Sequence, residues 1–426
     1  MKNSYLLVGA SVYDNSRFRL ADIWVEDGRI RQIGGTAPDV EATVINLTGK
    51  YIVPGFVDVH VHLREPGYEY KETIATGTAA AASAGYTAVC PMPNLNPAPD
   101  TPETMQIQLG RIRETAIIKV YPYASITRGQ KGTGELVDFK ALSPQVGFSD
   151  DGRGVQSEDL MRQAMREAAA HDQIIVAHCE DETLLRNGYI HDGNYALSHH
   201  HRGICSESEW TQVARDSILS QETGCRYHVC HVSTKESVAI IRQAKVSGTR
   251  ISCETAPHYL LLCDDDLQED GRFKMNPPLR TAADRAALIA AIQDGTIDVI
   301  ATDHAPHSAE EKAKGLAGSS FGIVGLETAF PTLYTHLVMK GVISLERLIE
   351  LMCINPRRIF RLDGYLQAGQ PADLAVLDLE ARYCINPEKF LSKGRSTPFA
   401  GWQVQGCNVM TMVNGIIVYN KEQDIQ

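Results

Sequence analysis

The chain has no CxxC pair, no apolar run long enough to cross a bilayer, and no basic stripe to offset its formal charge of −11. Each absence excludes a class of function. The ten cysteines are scattered singly, several inside apolar runs such as "GYTAVCPM" and "RYHVCHVS", and read as reduced, mostly buried thiols and not as a disulfide framework. An acidic chain without a cationic face is a poor ligand for nucleic acid or an anionic membrane, so a small molecule is the partner to expect. The apolar part of "MKNSYLLVGASVYDN" is too short for a signal-peptide core, which sets the expectation of a cytoplasmic protein.

What is present is globular: 43% hydrophobic and 22% charged residues over a 426-residue chain, a size that fits an α/β barrel with an appendage. Both ends read as strands. "YLLVGASVYD" and "LADIWVEDGRIRQIG" alternate and break at Asp-Gly, while "ADLAVLDLEARYCI" and "NVMTMVNGIIVYN" close the chain, the latter breaking at Asn-Gly. One small β-sandwich built from both termini is expected, from residues 1–53 and 363–426.

Between them, residues 54–362 repeat apolar strand, loop and alanine-rich helix, the pattern of βα units around a parallel sheet. The candidate strands are "GFVDVHVH", "YTAVCPMP", "IIKVYPYAS", "QVGFSDD", "QIIVAHCE", "RYHVCHVS", "RISCETAPH" and "DVIATDHAPH", with helices such as "KETIATGTAAAASAG" and "EDLMRQAMREAAAHD" between them. Eight strands close a TIM (β/α)8 barrel, whose active site lies at the carboxyl ends of the strands.

Those ends are polar here. The first strand ends in His60 and His62, which alternation places on one face; the fourth ends in Asp150 and Asp151, the fifth in His178, the sixth in His231, and the eighth in Asp303 with His304 and His307 behind it. Taken singly, each has an ordinary structural role, as a core histidine, a turn residue or a helix cap. Converging on one barrel mouth, the same groups need a cation, and nitrogen and oxygen donors without thiolate favour zinc or a similar divalent ion at an open site. His258 in "CETAPHYL" lies farther along its loop and is expected to be structural or to support a ligand.

On the stretches "VPGFVDVHVHLREPG", "PMPNLNPAPD", "NPPLR", "ATDHAPH" and "AGQPADLAVLD", nearly the whole chain resembles the dihydroorotases of the amidohydrolase superfamily. The combination of "HLREPG" with "PMPN" is far more specific than HxH alone. The resemblance implies one zinc at His60 and His62, a second at His178 and His231, and Asp303 as both ligand to the first and catalytic base. Many superfamily members bridge the two metals with a carboxylated lysine, but "VGFSDDGRGVQ" offers none, and by resemblance Asp151, in preference to Asp150, takes that position; one or two zinc ions per chain are expected. Arg64, Asn94 and His307 are implied to hold the substrate carboxylate, and Asn276 with the Phe321-Gly322 backbone to meet the ring edge.

The reaction that follows is attack of cation-activated water on the ring carbonyl of dihydroorotate, with Asp303 taking a proton and returning it to the departing nitrogen to give carbamoyl-aspartate. Biosynthesis of pyrimidines runs it backwards. The small, polar "HSAEEKAKGLAGSSFG" after His307 is expected to be mobile near the site. Two rivals are a hydantoinase or allantoinase, for which Arg64 would be superfluous, and an inactive barrel serving as a scaffold for aspartate transcarbamoylase, which would have lost ligands that are all present here. The partners expected are the small-molecule substrate and, by resemblance, a second copy of the chain or an aspartate transcarbamoylase, with neither nucleic acid nor membrane.

Overall fold

Along Arg17–Glu26 the buried positions are Ala21, Ile23 and Val25, an alternation that makes one face of a strand apolar and pairs it antiparallel with Ser4–Asp14 on one side and Arg29–Ile33 on the other. The turns are the ones the sequence signals. Asp27 and Gly28 both take positive φ (52° and 77°), as do Asn414 and Gly415 (48° and 73°), the conformation of a two-residue hairpin turn. The computed structural model describes residues 4–35, 41–142 and 144–421.

The two ends of the chain meet in one eight-stranded sheet. Tyr51–Pro54 runs parallel to Ser4–Asp14 on one side and antiparallel to Leu374–Cys384 on the other, and Gln403–Val413 and Ile416–Asn420 extend the sheet from there. Its apolar residues form a core of their own, including Leu7, Val12, Ile23, Ile52, Leu374 and Met412. Side chains of Gln403–Val413 fasten this sheet to the middle of the chain. Asn408 Nδ2 and Thr411 Oγ1 donate to the carbonyls of Ser83 (3.1 Å) and Ala82 (2.7 Å), which end the helix Ile74–Ser83.

The middle of the chain is parallel sheet and helix. Phe56–Val61, Tyr86–Pro91 and Ile174–Ala177 are buried at every position, as strands covered on both faces must be. Phe56–Val61, Tyr86–Pro91 and Lys119–Val120 form one parallel sheet; Ile174–Ala177, Arg226–Val229, Ile251–Thr255 and Val299–Ile300 form another. Isolated parallel bridges join Val61 to His304, Ala124 to Phe148 and Phe148 to Ile175. The expected helices lie between strands: Ile74–Ser83, opened by a Thr73 capping box, and Glu158–Ala170, capped by Ser157.

Two expected strands are shorter than their sequences suggest. "IIKVYPYAS" yields only Lys119–Val120, and "QVGFSDD" no strand longer than the bridges at Phe148. Pro122 has no N–H to give a ladder. Past the end of that segment Asp150 gathers the backbone, accepting from Ile126 N (2.8 Å), Thr127 N (3.2 Å) and Gly132 N (3.1 Å). Among the described residues no helix is long and apolar enough to cross a membrane.

Candidate active site

The strand Phe56–Val61 delivers His60, and His62 follows one residue past its end. Their Nε2 atoms meet carboxylates that arrive from distant parts of the chain. His62 Nε2 lies 3.2 Å from Asp303 Oδ1, and His60 Nε2 lies 3.5 Å from the same oxygen. Asp151 sits at the centre: its carboxylate is 3.4 Å from His60 Nε2, 3.7 Å from His62 Nε2, 3.7 Å from His178 Nδ1 and 3.8 Å from His231 Nε2. His178 Nδ1 and His231 Nε2 face each other at 2.9 Å. All six side chains are buried.

This set fits a divalent cation. His60 Nε2, His62 Nδ1 and Asp151 Oδ1 are buried without a hydrogen-bond partner among the described residues, a costly state that a metal at the centre relieves on the atoms facing it. His60, His62 and Asp303 bring ligand atoms within 4.8 Å of one another, and so do His60, Asp151 and His231. Burial would raise the Asp151 carboxyl, but the imidazoles of His60, His231 and His62 hold it well below the ordinary carboxylate range. Burial raises Asp303 too, and His60 and His62 outweigh it, bringing the group down to about 2. Both present ionised oxygens.

Asp150, the neighbour of Asp151, is occupied by backbone donors and by the Thr127 hydroxyl, and takes no part in the cluster. His304 also turns away. Its Nδ1 accepts from Gly325 N (3.2 Å) and its Nε2 faces Glu72 (3.4 Å) and Ser392 (3.4 Å). His258 is buried with Nε2 unpartnered, and burial lowers its pKa to about 4.

Two carboxylates behind the cluster escaped the sequence reading. Glu254 accepts from His60 Nδ1 (2.7 Å) and His228 Nε2 (3.1 Å), which keeps a proton on His60 Nδ1, so that a cation displacing the other proton would meet Nε2. Glu180 receives His178 Nε2 (3.3 Å) and Asn276 Nδ2 (3.1 Å), which likewise frees His178 Nδ1. Glu254 sits on Ile251–Thr255 and Glu180 two residues past His178. An acid at a strand end beside the histidines was the available signal.

A cavity of about 210 Å³ opens over the cluster, lined by Asp303, His231, Arg64, Asn94, Asn276 and His307, with Phe321 and Gly322 on its wall. Arg64 takes φ +60°; its Nε donates to the Pro306 carbonyl (3.3 Å) and one terminal nitrogen lies 3.4 Å from His307 Nε2. Asn94 Nδ2 donates to the Asp151 carbonyl (2.7 Å), leaving its buried Oδ1 unpartnered, and Asn276 Oδ1 is in the same state. Burial, then the cations Arg64, Lys71 and Lys312, lower His307 to about 3, so it is neutral: Nε2 donates to the Phe321 carbonyl (2.7 Å) and Nδ1 accepts from Lys71 (3.2 Å). The structure thus brings together every residue singled out in the sequence as ligand, base or substrate contact.

A family model described as dihydro-orotase-like matches residues 49–237. A dihydroorotase of Bacillus caldolyticus is 53% identical over 422 residues, covering 98% of this chain and 99% of that protein, and one of Geobacillus kaustophilus (strain HTA426) is 53% identical over 423 residues with the same coverage. Among solved structures, an L-hydantoinase (dihydropyrimidinase) from Arthrobacter aurescens superposes with a TM-score of 0.88 at 29% identity, covering 99% of this chain and 97% of its own. A dihydropyrimidinase from Brevibacillus agri NCHU1002 gives 0.86 at 21% identity, covering 99% and 96%, and shares the fold alone.

Proposed function

The chain belongs to the dihydroorotase family, and from that premise we propose how its own residues interconvert dihydroorotate and N-carbamoyl-L-aspartate, the ring-forming reaction of pyrimidine biosynthesis. The metal is zinc, one or two ions per chain, held by His60, His62, Asp151, His178, His231 and Asp303. The observation that carries this reading is the single Asp151 carboxylate within 3.4 to 3.8 Å of four imidazoles, with Asp303 beside it at the cavity floor. A divalent cation there supplies Lewis acidity, acidifying water and drawing electron density from a carbonyl oxygen.

The side chains do the rest. Asp303 accepts the proton of the attacking water on a carboxylate oxygen and passes it to the ring nitrogen as the C–N bond breaks. Ring closure runs the same steps backwards, so there Asp303 starts protonated. Arg64, held through Nε to the Pro306 carbonyl and with one terminal nitrogen 3.4 Å from His307 Nε2, offers its terminal nitrogens to the substrate carboxylate as a fork, and Asn94 and His307 flank it. A carboxylate arriving there competes with the Phe321 carbonyl for the His307 Nε2 proton. Asn276 and the Phe321-Gly322 backbone meet the ring edge.

We also read the parallel segments as a closed (β/α)8 barrel over residues 54–362, with residues 1–53 and 363–426 sharing the second domain. The bridges Val61–His304, Ala124–Phe148 and Phe148–Ile175 support closure. Phe360 and Leu362 pack with Val57 and Val59, whereas Leu366 packs with the terminal sheet, which supports the second boundary.

The test is a steady-state assay of the purified protein with dihydroorotate, hydantoin and allantoin side by side, with zinc measured per chain. Turnover confined to dihydroorotate is expected; a preference for either uncharged ring would remove Arg64 from its role. Asp303→Asn, compared per bound metal, is expected to lower kcat by ~10²-fold or more. Activity lost only in proportion to lost metal would leave Asp303 a ligand and send the proton elsewhere.

A further inference from the structure

The stretch after His307 that reads in sequence as small and polar is tied down by a lysine buried among backbone oxygens. Lys312 is 7% exposed, and its ammonium donates to the carbonyls of Lys274 (3.0 Å), Ser320 (2.7 Å) and Gly322 (2.7 Å). Three protons meet three acceptors, so the group is saturated. No carboxylate lies within salt-bridge distance of it among the described residues, an expensive way to bury a charge if the only end were stability.

The three carbonyls belong to two segments that both reach the cavity. Lys274 precedes Asn276 by two residues, and Ser320 and Gly322 flank Phe321. The same segments are sewn together by Gly322 N donating to Lys274 O (3.1 Å), and the Lys274 ammonium lies 4.5 Å from the centre of the Phe321 ring. There is no slack on the far side. Gly322 sits at φ +129° with Ala305 so close that a Cβ would come within 2.7 Å of its Cβ and carbonyl oxygen.

We propose that Lys312 is a positioning residue for the substrate ring: one ammonium fixes the Asn276 segment against Phe321-Gly322 and so sets the cavity wall that meets the ring edge. This rests on the assignment of those residues to the ring given above, and Lys312 itself touches no substrate. Deprotonation should loosen the wall, because a neutral amine keeps two N–H groups for three carbonyls. Burial and then the Lys274 ammonium lower Lys312 to about 7, against the pull of Asp270 and Glu311, so the loosening falls in an accessible range.

Lys312→Met keeps the length and removes every donor. Its KM for dihydroorotate is expected to rise about tenfold or more, with kcat falling less and metal per chain unchanged. In the wild type KM should begin to climb near pH 7; Lys312→Arg, which keeps donors and charge without titrating there, should move that onset up to the range of Lys274, which burial lowers to about 8. The arginine variant and the wild-type profile decide the matter if the methionine variant does not fold. A folded Lys312→Met with KM within twofold of wild type, or an onset that stays near pH 7 in Lys312→Arg, would overturn the proposal while leaving the reaction intact. A wild-type chain that fails to turn over dihydroorotate would overturn both.

Discussion

Arg64 leaves the histidine-bearing strand in the left-handed region, a conformation uncommon for a side chain of its size, and the turn aims its guanidinium back over the metal cluster. Lysine at this position keeps the charge and loses the fork, so Arg64→Lys is expected to lower kcat/KM at least tenfold, or ~1.4 kcal/mol in transition-state binding. Wild-type kinetics in that variant would place the substrate carboxylate elsewhere. Glu254 acts one layer farther out. Gln at that position can accept from only one of the His60 and His228 ring N–H groups, so Glu254→Gln is expected to weaken metal affinity by about 10- to 100-fold, read by chelator competition. Equal retention of metal in both proteins would assign His60 its orientation from another source. The shared direction of His60 and His62 was legible because strand alternation fixes it, and the place of Arg64 beside them because it follows them in the chain. The choice of Asp151 over Asp150 came from resemblance, since adjacent acids in a turn look alike until one is seen collecting backbone N–H groups. Glu254 and Glu180 were missed because their partners lie across neighbouring strands, a relation the linear chain does not display.

At the scale of elements, sequence patterning located the helices and most strands but lengthened those around Pro122 and Phe148, where Pro122 has no N–H to give and pairing is reduced to single bonds such as Ala124 N to Gly147 O (3.1 Å) and Phe148 N to Ile174 O (3.0 Å). The segment beyond Val299–Ile300 holds an unusual acid. Glu327 accepts from Leu391 N (2.8 Å) and Ser392 N (3.3 Å), yet burial raises it to about 7 from an ordinary value of 4.5. With the folded pKa above the unfolded one, the folded state binds the extra proton; that contribution to stability is whole below pH ~4.5 and is lost as pH rises through ~7. Glu327→Gln can accept from only one of these N–H groups, a cost that does not depend on pH, and it does not ionise. Its Tm relative to wild type should therefore rise by about 2 °C or more between pH 4.5 and pH 8. A difference independent of pH would mean the carboxyl does not titrate in this range.

In the whole molecule, the terminal sheet and the parallel segments are locked by buried polar contacts as well as apolar ones. Arg357, 1% exposed, joins Gly55 O (2.7 Å), Thr87 Oγ1 (3.1 Å) and Asp363 O (3.0 Å) at the point where the chain enters and leaves the central part. The pairing of both ends was legible from their alternating strands and Asp-Gly and Asn-Gly turns; the order of strands was not, because it depends on which edge Tyr51–Pro54 presents. A chain ended after Leu362 loses three strands, strips that edge and uncaps the helix at Ser83, and is expected to sediment as aggregate, whereas a soluble truncated chain with bound metal would show the central part to be self-sufficient. The shared sheet also sets the order of events on a ribosome. Tyr51–Pro54 emerges early, but its partner Leu374–Cys384 is made only after every strand that carries a residue of the histidine and carboxylate cluster. The first-born hairpins therefore wait, one edge open, until residues 374–420 have been made, which leaves the nascent N-terminal strands exposed to pairing with other chains for longer than any βα unit of the middle, whose neighbours follow closely in the sequence.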